Sequence, residues 1–190
     1  DIRDEDWSVG FLWHELTNHR PEERTVNYVE SHDQALVGGK TLLFQLMDAA
    51  MYGGMARTAA NVVAARGVAL HKLARLATLA TADGGYLTFM GNEFGHPEWI
   101  DFPREGNGFS HQYARRQWRL RDDPELLFSC LGDFDRAMLR LVTEAGALDA
   151  GEPRLLHMSE ADKVLVIERG PLLFLFNFHS AQSVRDYAVR

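Results

Sequence analysis

The sequence has one cysteine, no long apolar run and fewer basic than acidic residues. Its 190 residues include 20 Lys and Arg against 27 Asp and Glu, for a net charge of −7. Proteins that bind nucleic acid draw affinity from clustered Lys and Arg, so this balance argues against a nucleic-acid partner. The single Cys130 excludes an internal disulfide. No apolar stretch approaches the ~20 residues of a membrane span, and we expect no membrane partner.

The composition is that of a folded protein. Hydrophobic residues make up 46% of the chain, and a chain of this length can bury a sizeable core. No internal repeat, targeting signal or low-complexity segment is evident, so we expect a soluble, cytoplasmic protein. The chain opens on Asp1 rather than Met, and we interpret this as a missing N-terminal part.

Two short runs of β-branched and aromatic residues are each followed by polar residues. Residues 25–29 are predicted to form a short buried strand and residues 86–90 a second short strand, with polar loops directly after them at 30–34 and 91–95. A long helical pattern lies between the two strands. This order predicts parallel strands whose loops open on one face, which is where α/β folds place their chemistry.

The helix between the strands has two types of side chain at helical spacing. One predicted face is apolar and is expected to lie on the core, and it consists of Leu70, Leu73, Ala74 and Ala77. The other predicted face is basic and consists of His71, Lys72 and Arg75.

The character of the chain changes after Gly151. Residues 155–158, 164–168 and 172–178 are short β-type runs. We place a domain boundary near residue 150. Residues 1–150 then form an α/β part, and residues 151–190 form the start of a β domain.

The sharpest local feature is His32-Asp33, directly after a predicted strand. An imidazole and a carboxylate at a strand end can polarise hydroxyls, stabilise positive charge or bind a metal. The other histidines show no tight ligand spacing, so we expect no metal and no cofactor. The alternative is that Ser31 or Asp33 caps the next helix and that His32 is an ordinary polar residue.

A second cluster runs from Gly91 to Pro103 and mixes Trp and Phe with Asn, Glu and Asp. It fits the rim of a carbohydrate site, because flat aromatic faces stack on sugar rings while carboxylates and amides bind hydroxyls. The alternative is an ordinary glycine-punctuated loop. Asp33 and Glu93 as a complete acid/base pair remains a hypothesis, because sequence gives no separation between the two carboxyls.

Long motifs around both clusters resemble one family. Residues 28–41, Tyr-Val-Glu-Ser-His-Asp-Gln-Ala-Leu-Val-Gly-Gly-Lys-Thr, resemble the seventh barrel strand of glycogen and starch branching enzymes in the α-amylase superfamily. Residues 85–104 resemble the eighth strand of the same enzymes, and residues 113–118 continue the match. The resemblance implies an α/β fold: strands seven and eight of a TIM (β/α)₈ barrel, followed by the start of an all-β sandwich domain.

The resemblance also implies an activity. These enzymes are retaining glycosyltransferases that cut an α-1,4-glucan and pass the segment to a 6-hydroxyl, forming α-1,6 branches in glycogen or starch. Asp33 matches the carboxylate that stabilises the transition state. We expect His32, Gln34, Glu93 and Trp99 to contact the glucan, with Trp99 at the rim.

The chain departs from the family pattern in one way. The nucleophile and the acid/base belong to strands four and five, which have no counterpart here, and a barrel needs about 250 residues. We therefore expect the chain alone to be inactive and poorly folded. Two alternatives stay open, namely a debranching hydrolase of the same superfamily and a non-catalytic glucan-binding or structural fragment. A plant-type parent would place the protein in a plastid.

Overall fold

The computed structural model describes residues 2–37, 39–97 and 101–189. Within these ranges it has seven α-helices and five β-strands. The helices are α1 (Val9–Thr17), α2 (His32–Val37), α3 (Leu42–Met47), α4 (Ala50–Gly53), α5 (Val62–Thr81), α6 (Trp118–Asp122) and α7 (Leu127–Glu144). The strands are β1 (Val26–Asn27), β2 (Gly85–Tyr86), β3 (Arg154–Ser159), β4 (Val164–Arg169) and β5 (Leu172–Asn177).

The chain divides into two compact units, each built from separate segments. The first unit, here the sheet unit, comprises Asp1–Asn27, Leu76–Tyr86 and Arg140–Arg190. The second, here the loop unit, comprises Tyr28–Arg75 and Leu87–Leu139. Both predicted polar loops lie in the loop unit.

The sheet unit contains a three-stranded antiparallel sheet in the order β3-β4-β5. The central strand β4 is buried from Val164 to Ile167, and because successive side chains point to opposite faces, this strand is covered on both faces. Arg169 ends β4 and is buried, and its guanidinium donates to backbone carbonyls of Leu79, Ala147 and Leu148. The three predicted β-type runs are confirmed within a residue or two.

Strands β1 and β2 pair in parallel, with Val26 opposite Gly85 and Asn27 opposite Tyr86. The predicted parallel arrangement is therefore confirmed, although each strand is two residues long instead of five. Val26 is 56% exposed, so the prediction of a buried strand is wrong. Within the described residues each strand has a single neighbour, and a two-stranded ladder buries little side-chain surface.

The loop unit has its own apolar core, formed by helices α3, α4, α5 and α7. Gly67 on α5 allows a close helix approach, since a Cβ there would lie 2.5 Å from the Cγ of Met47. The core side chains are Leu43, Met47, Met51, Met55, Ala64, Val68, Phe94, Phe128 and Leu131. None of the helices that the structure describes combines the length and apolar character needed to cross a bilayer.

The buried face of α5 differs from the predicted one. The most buried side chains along its first two thirds are Ala64, Val68, His71 and Arg75, spaced by three or four residues. Leu70 and Leu73 are partly exposed. The helical pattern assigns His71 and Arg75 to a different face from the core-facing one, but both are buried. Arg75 pairs inside the unit with Asp135 of α7 and donates to Thr88 Oγ1 at 3.1 Å.

Candidate active site

The first candidate loop begins with two side-chain caps at the start of α2. Gln34 Oε1 accepts the Ser31 backbone N–H at 2.7 Å and the Ser31 hydroxyl at 2.8 Å. The Ser31 Oγ in turn accepts the Asp33 N–H at 3.2 Å. Spacing of Ser and Gln three residues apart favours this reciprocal arrangement. Ser31 therefore caps the helix, as one sequence alternative stated, and the side-chain oxygen of Gln34 is engaged within the protein.

His32 and Asp33 occupy the first turn of α2, where both side chains reach solvent. His32 Nε2 lies 3.0 Å from Asp33 Oδ1, and the two side chains are 44% and 68% exposed. The His32 ring packs 5.5 Å from the Phe89 ring and 6.4 Å from the Phe102 ring, centroid to centroid. Aromatic neighbours thus hold the imidazole, while the carboxylate stays accessible to a ligand.

The second candidate loop is a tight turn between two glycines. Residues Asn92–Phe94 form one turn of 3₁₀ helix, flanked by Gly91 with φ +96° and Gly95 with φ +70°. A Cβ on Gly95 would lie 2.3 Å from the Cδ2 of Leu43. The position therefore requires glycine for both its left-handed backbone and its space.

Two buried rings hold this second loop in the unit. Phe94 and His96 have 0% and 1% exposure, and their centroids are 5.8 Å apart in an edge-to-face arrangement. The Gln117 backbone N–H donates to His96 Nε2 at 3.0 Å. Glu93 directly precedes Phe94 in the chain, and its Oε2 accepts the Gly91 N–H at 2.7 Å. One carboxylate oxygen of Glu93 therefore serves the turn.

The two loops meet through Glu30 and Asn92. The Asn92 side-chain amide donates to the Glu30 carbonyl at 3.4 Å, and both residues are buried. The structure thus brings the His32–Asp33 segment and the Glu93 turn into one unit, as the parallel-strand pattern predicts. Pairing of Asp33 with Glu93 as acid and base stays a hypothesis. Trp99 lies outside the described residues.

A cavity of about 860 Å³ lies in the same loop unit. Its wall includes Lys40, which follows α2 in the chain, and Pro97, which follows the Asn92–Phe94 turn. Phe44 and Tyr52 also line it, with their rings edge to face at 5.6 Å. Within the described ranges, no group of three or more His, Cys, Asp or Glu side chains is arranged to hold a metal ion.

Sequence reasoning missed the residues that support the site. Glu30 lies in the polar run of residues 30–34, and its position directly before the cap residue Ser31 is a signal that could single it out. Phe89 lies in the predicted strand 86–90, and its contact with His32 depends on how the loops fold back. That contact has no local sequence signal.

Comparison with known proteins gives a consistent result. No protein-family model matches the chain. The chain is 50% identical over 190 residues to the 1,4-alpha-glucan-branching enzyme of Felis catus, covering all of this chain and 27% of the cat protein. It is 51% identical over 189 residues to that of Debaryomyces hansenii, covering 99% of this chain and 27% of the yeast protein. The Solanum tuberosum enzyme is 49% identical over 187 residues, covering 98% of this chain and 22% of the potato protein.

These relatives are enzymes named for their action on 1,4-alpha-glucans. Within that class, the chain belongs to the family of the 1,4-alpha-glucan-branching enzymes. The resemblance predicted from the two motifs is therefore confirmed, and it extends over essentially the whole chain. The chain spans about a quarter of the length of the curated relatives that it matches.

Proposed function

We propose that this chain supplies the seventh and eighth strands of a (β/α)₈ barrel in a glucan-branching enzyme. Strands β1 and β2 would be those strands, and α5 the crossover helix between them. Their parallel pairing supports this assignment, because consecutive barrel strands are parallel and joined through a helix. Residues 1–150 would belong to the barrel, and residues 151–190 would begin an all-β domain around β3, β4 and β5.

The proposed activity is retaining transfer of an α-1,4-glucan segment to a 6-hydroxyl, which creates an α-1,6 branch. The observation that carries this proposal is the identity of about 50% to branching enzymes from animals, yeasts and plants across the whole chain. The nucleophile and the acid/base would come from strands four and five, outside this chain. Asp33 would act as the third carboxylate.

The exposed position of Asp33 suits that role. In glycoside transfer, the sugar ring flattens and gains oxocarbenium character, so hydrogen bonds to its hydroxyls strengthen in the transition state. A carboxylate that accepts such bonds lowers the barrier more than it tightens ground-state binding. His32, held by Phe89 and 3.0 Å from Asp33, would bond the same sugar. Gln34, Glu93 and Trp99 are proposed as further glucan contacts.

The proposed substrate is a neutral α-1,4-glucan such as amylose or glycogen. A net charge of −7 fits such a ligand, because a neutral polymer needs no basic surface. Glycogen synthesis would place the protein in the cytoplasm, and starch synthesis would place it in a plastid.

Product analysis on amylose tests the activity. The full-length protein that contains this chain is incubated with amylose, and the products are examined by iodine staining and linkage analysis. New α-1,6 linkages with few new reducing ends would support branching. Reducing ends without new α-1,6 linkages would instead show a hydrolase that cleaves α-1,4 bonds. A debranching hydrolase would leave amylose unchanged and would release linear chains from branched amylopectin. No reaction, together with an upstream reading frame that lacks the aspartate and glutamate of strands four and five, would show a non-catalytic protein.

The role of Asp33 has its own test. In the full-length protein, Asp33→Ala should lower kcat by about 10²–10³-fold, the range seen when one transition-state hydrogen-bond partner is removed. KM for amylose should change far less, because the lost bonds form mainly in the transition state. Asp133→Ala is the matched control, since it removes an exposed carboxylate from α7. An equal loss in both variants, or a change confined to KM, would contradict the assignment.

A further inference from the structure

Glu30 is a buried carboxylate directly before the segment that carries His32 and Asp33. Its exposure is 4%, while Asp33, three residues later, is open to solvent. Its Oε2 accepts the backbone N–H of Leu42 at 2.6 Å. Leu42 is the first residue of α3, so this bond satisfies one of the free N–H groups at the start of that helix.

The bond between Glu30 and Leu42 closes the base of the first loop. It joins the residue before Ser31 to the residue after Thr41, so residues 31–41 form a loop whose two ends are tied by one side chain. The loop contains the three residues of this segment that are predicted to contact the glucan, namely His32, Asp33 and Gln34. The bond between Glu30 and Leu42 therefore restrains both ends of the segment that carries α2.

The main chain of Glu30 makes a second tie. Its carbonyl accepts the Asn92 side-chain N–H at 3.4 Å. Asn92 is the first residue of the turn that carries Glu93, and Glu93 is itself bonded to Gly91. One residue thus connects the start of α3, the base of the first loop and the turn of the second loop.

The surroundings of the Glu30 carboxylate disfavour its ionised form. Burial raises the pKa of Glu30, while the bond from Leu42 and the positive charge of Arg75 oppose that rise. Among the described residues, its Oε1 has no hydrogen-bond partner. A buried, half-bonded carboxylate is expensive for a protein to keep, and such groups concentrate at functional sites.

We propose that Glu30 is a positioning residue that sets the placement of His32 and Asp33 relative to the Glu93 turn. This inference rests on the proposed function and extends it, because Glu30 would act on the reaction only through the residues whose loop it closes. Misplacement of a catalytic group by about 1 Å can cost roughly 10²-fold in rate. A loosened loop base should therefore lower turnover without removing any substrate contact.

The test compares two replacements in the full-length protein. Glu30→Ala removes the acceptor of the Leu42 N–H and should lower kcat on amylose by about 10–100-fold, with KM within about threefold. Glu30→Gln keeps a side-chain oxygen in place for the same N–H and should recover kcat to within about threefold of the parent. Glu125→Ala removes an exposed carboxylate from the same unit and should leave kcat unchanged.

A double replacement separates positioning from general stability. If Glu30 acts through the first loop, Glu30→Ala should cost at most about twofold in kcat when Asp33 is already Ala, since effects of residues that work as a unit are not additive. The same 10–100-fold loss in both backgrounds would overturn the inference. So would a Glu30→Gln variant as impaired as Glu30→Ala.

Hydrogen exchange tests the loop tie without any activity. Peptides covering residues 31–41 should exchange faster in Glu30→Ala than in the parent, and Glu125→Ala should match the parent. Unchanged exchange in Glu30→Ala would overturn the inference even if the protein branches glucan. If Glu30→Ala exchanges faster but the parent protein does not branch glucan, the structural role of the Glu30–Leu42 bond is supported and the proposed function is refuted.

Discussion

Removing the carboxylate of Asp135 leaves a buried guanidinium without its ion-pair partner. The side chains of Arg75 and Asp135 are 3% and 9% exposed, and they join α5 to α7 inside the loop unit. Breaking a buried pair by removing one partner typically costs about 3–5 kcal/mol, because the remaining charge stays desolvated. Asp135→Ala should therefore destabilise this unit strongly.

The same helix offers a matched control. Asp133 pairs with Arg121 at 2.7 Å, but its side chain is 64% exposed. Removing an exposed pair costs about 0–1 kcal/mol. Hydrogen exchange of peptides from α5 and α7 in the full-length protein measures both effects locally. Since about 1.4 kcal/mol is tenfold, Asp135→Ala should speed exchange of the slowest amides by roughly 100- to 4,000-fold, and Asp133→Ala by at most about fivefold.

A double replacement completes this test. Arg75→Met combined with Asp135→Leu removes both charges and fills their volume. It should recover part of the lost protection, because it also removes the Arg75 charge that stabilises the Glu30 carboxylate. Equal effects of Asp135→Ala and Asp133→Ala would refute the argument from burial. If the double variant is as unstable as Asp135→Ala, the ion pair itself stabilises the unit, and the loss in Asp135→Ala is not only the cost of an unpaired buried charge.

Three further predictions follow from particular residues. Burial and the nearby charge of Arg75 lower the pKa of His71 to about 3, so the unfolded state binds the proton first and stability falls as pH drops below about 6.5. Between pH 7 and 5 the free energy of unfolding should fall by about 2 kcal/mol. In thermal unfolding, His71→Leu should abolish this pH dependence. His111→Leu, which replaces an exposed histidine, should leave it unchanged. Trp99→Ala in the full-length enzyme should raise KM for long glucans, and unchanged kinetics would exclude a rim contact. The purified 190-residue chain should produce no branches in amylose, and measurable branching would contradict the division of catalytic residues.

The sequence predicted the features that depend on local patterns. The strands after Gly151 have β-branched and aromatic runs bounded by turn residues, and β3, β4 and β5 lie where those runs are. Ser31 is one of the two residues that the sequence offers as a helix cap, and α2 begins at the next residue, His32. The order of strand, polar loop, helix and strand predicted the parallel pairing of β1 with β2.

The features that the sequence did not predict depend on contacts between distant segments. The face of α5 with Arg75 is buried because Asp135, 60 residues away, neutralises it, and helical periodicity counts such a residue as polar. Glu30 is buried because Leu42 and Asn92 bond to it, and neither partner is visible in a local pattern. The roles of Asp33, His32 and Glu93 came from the family resemblance, since a dipeptide and a glycine-rich loop are weak signals alone.

Segment exchange tests the central claim most directly. The matching segment of the Debaryomyces hansenii enzyme, which aligns with 189 residues at 51% identity, is replaced by this chain. The account predicts that the chimera forms α-1,6 linkages in amylose and that Asp33→Ala in the chimera lowers kcat by about 100-fold or more. A folded chimera that forms no α-1,6 linkages, or one whose turnover is indifferent to Asp33→Ala, would contradict it.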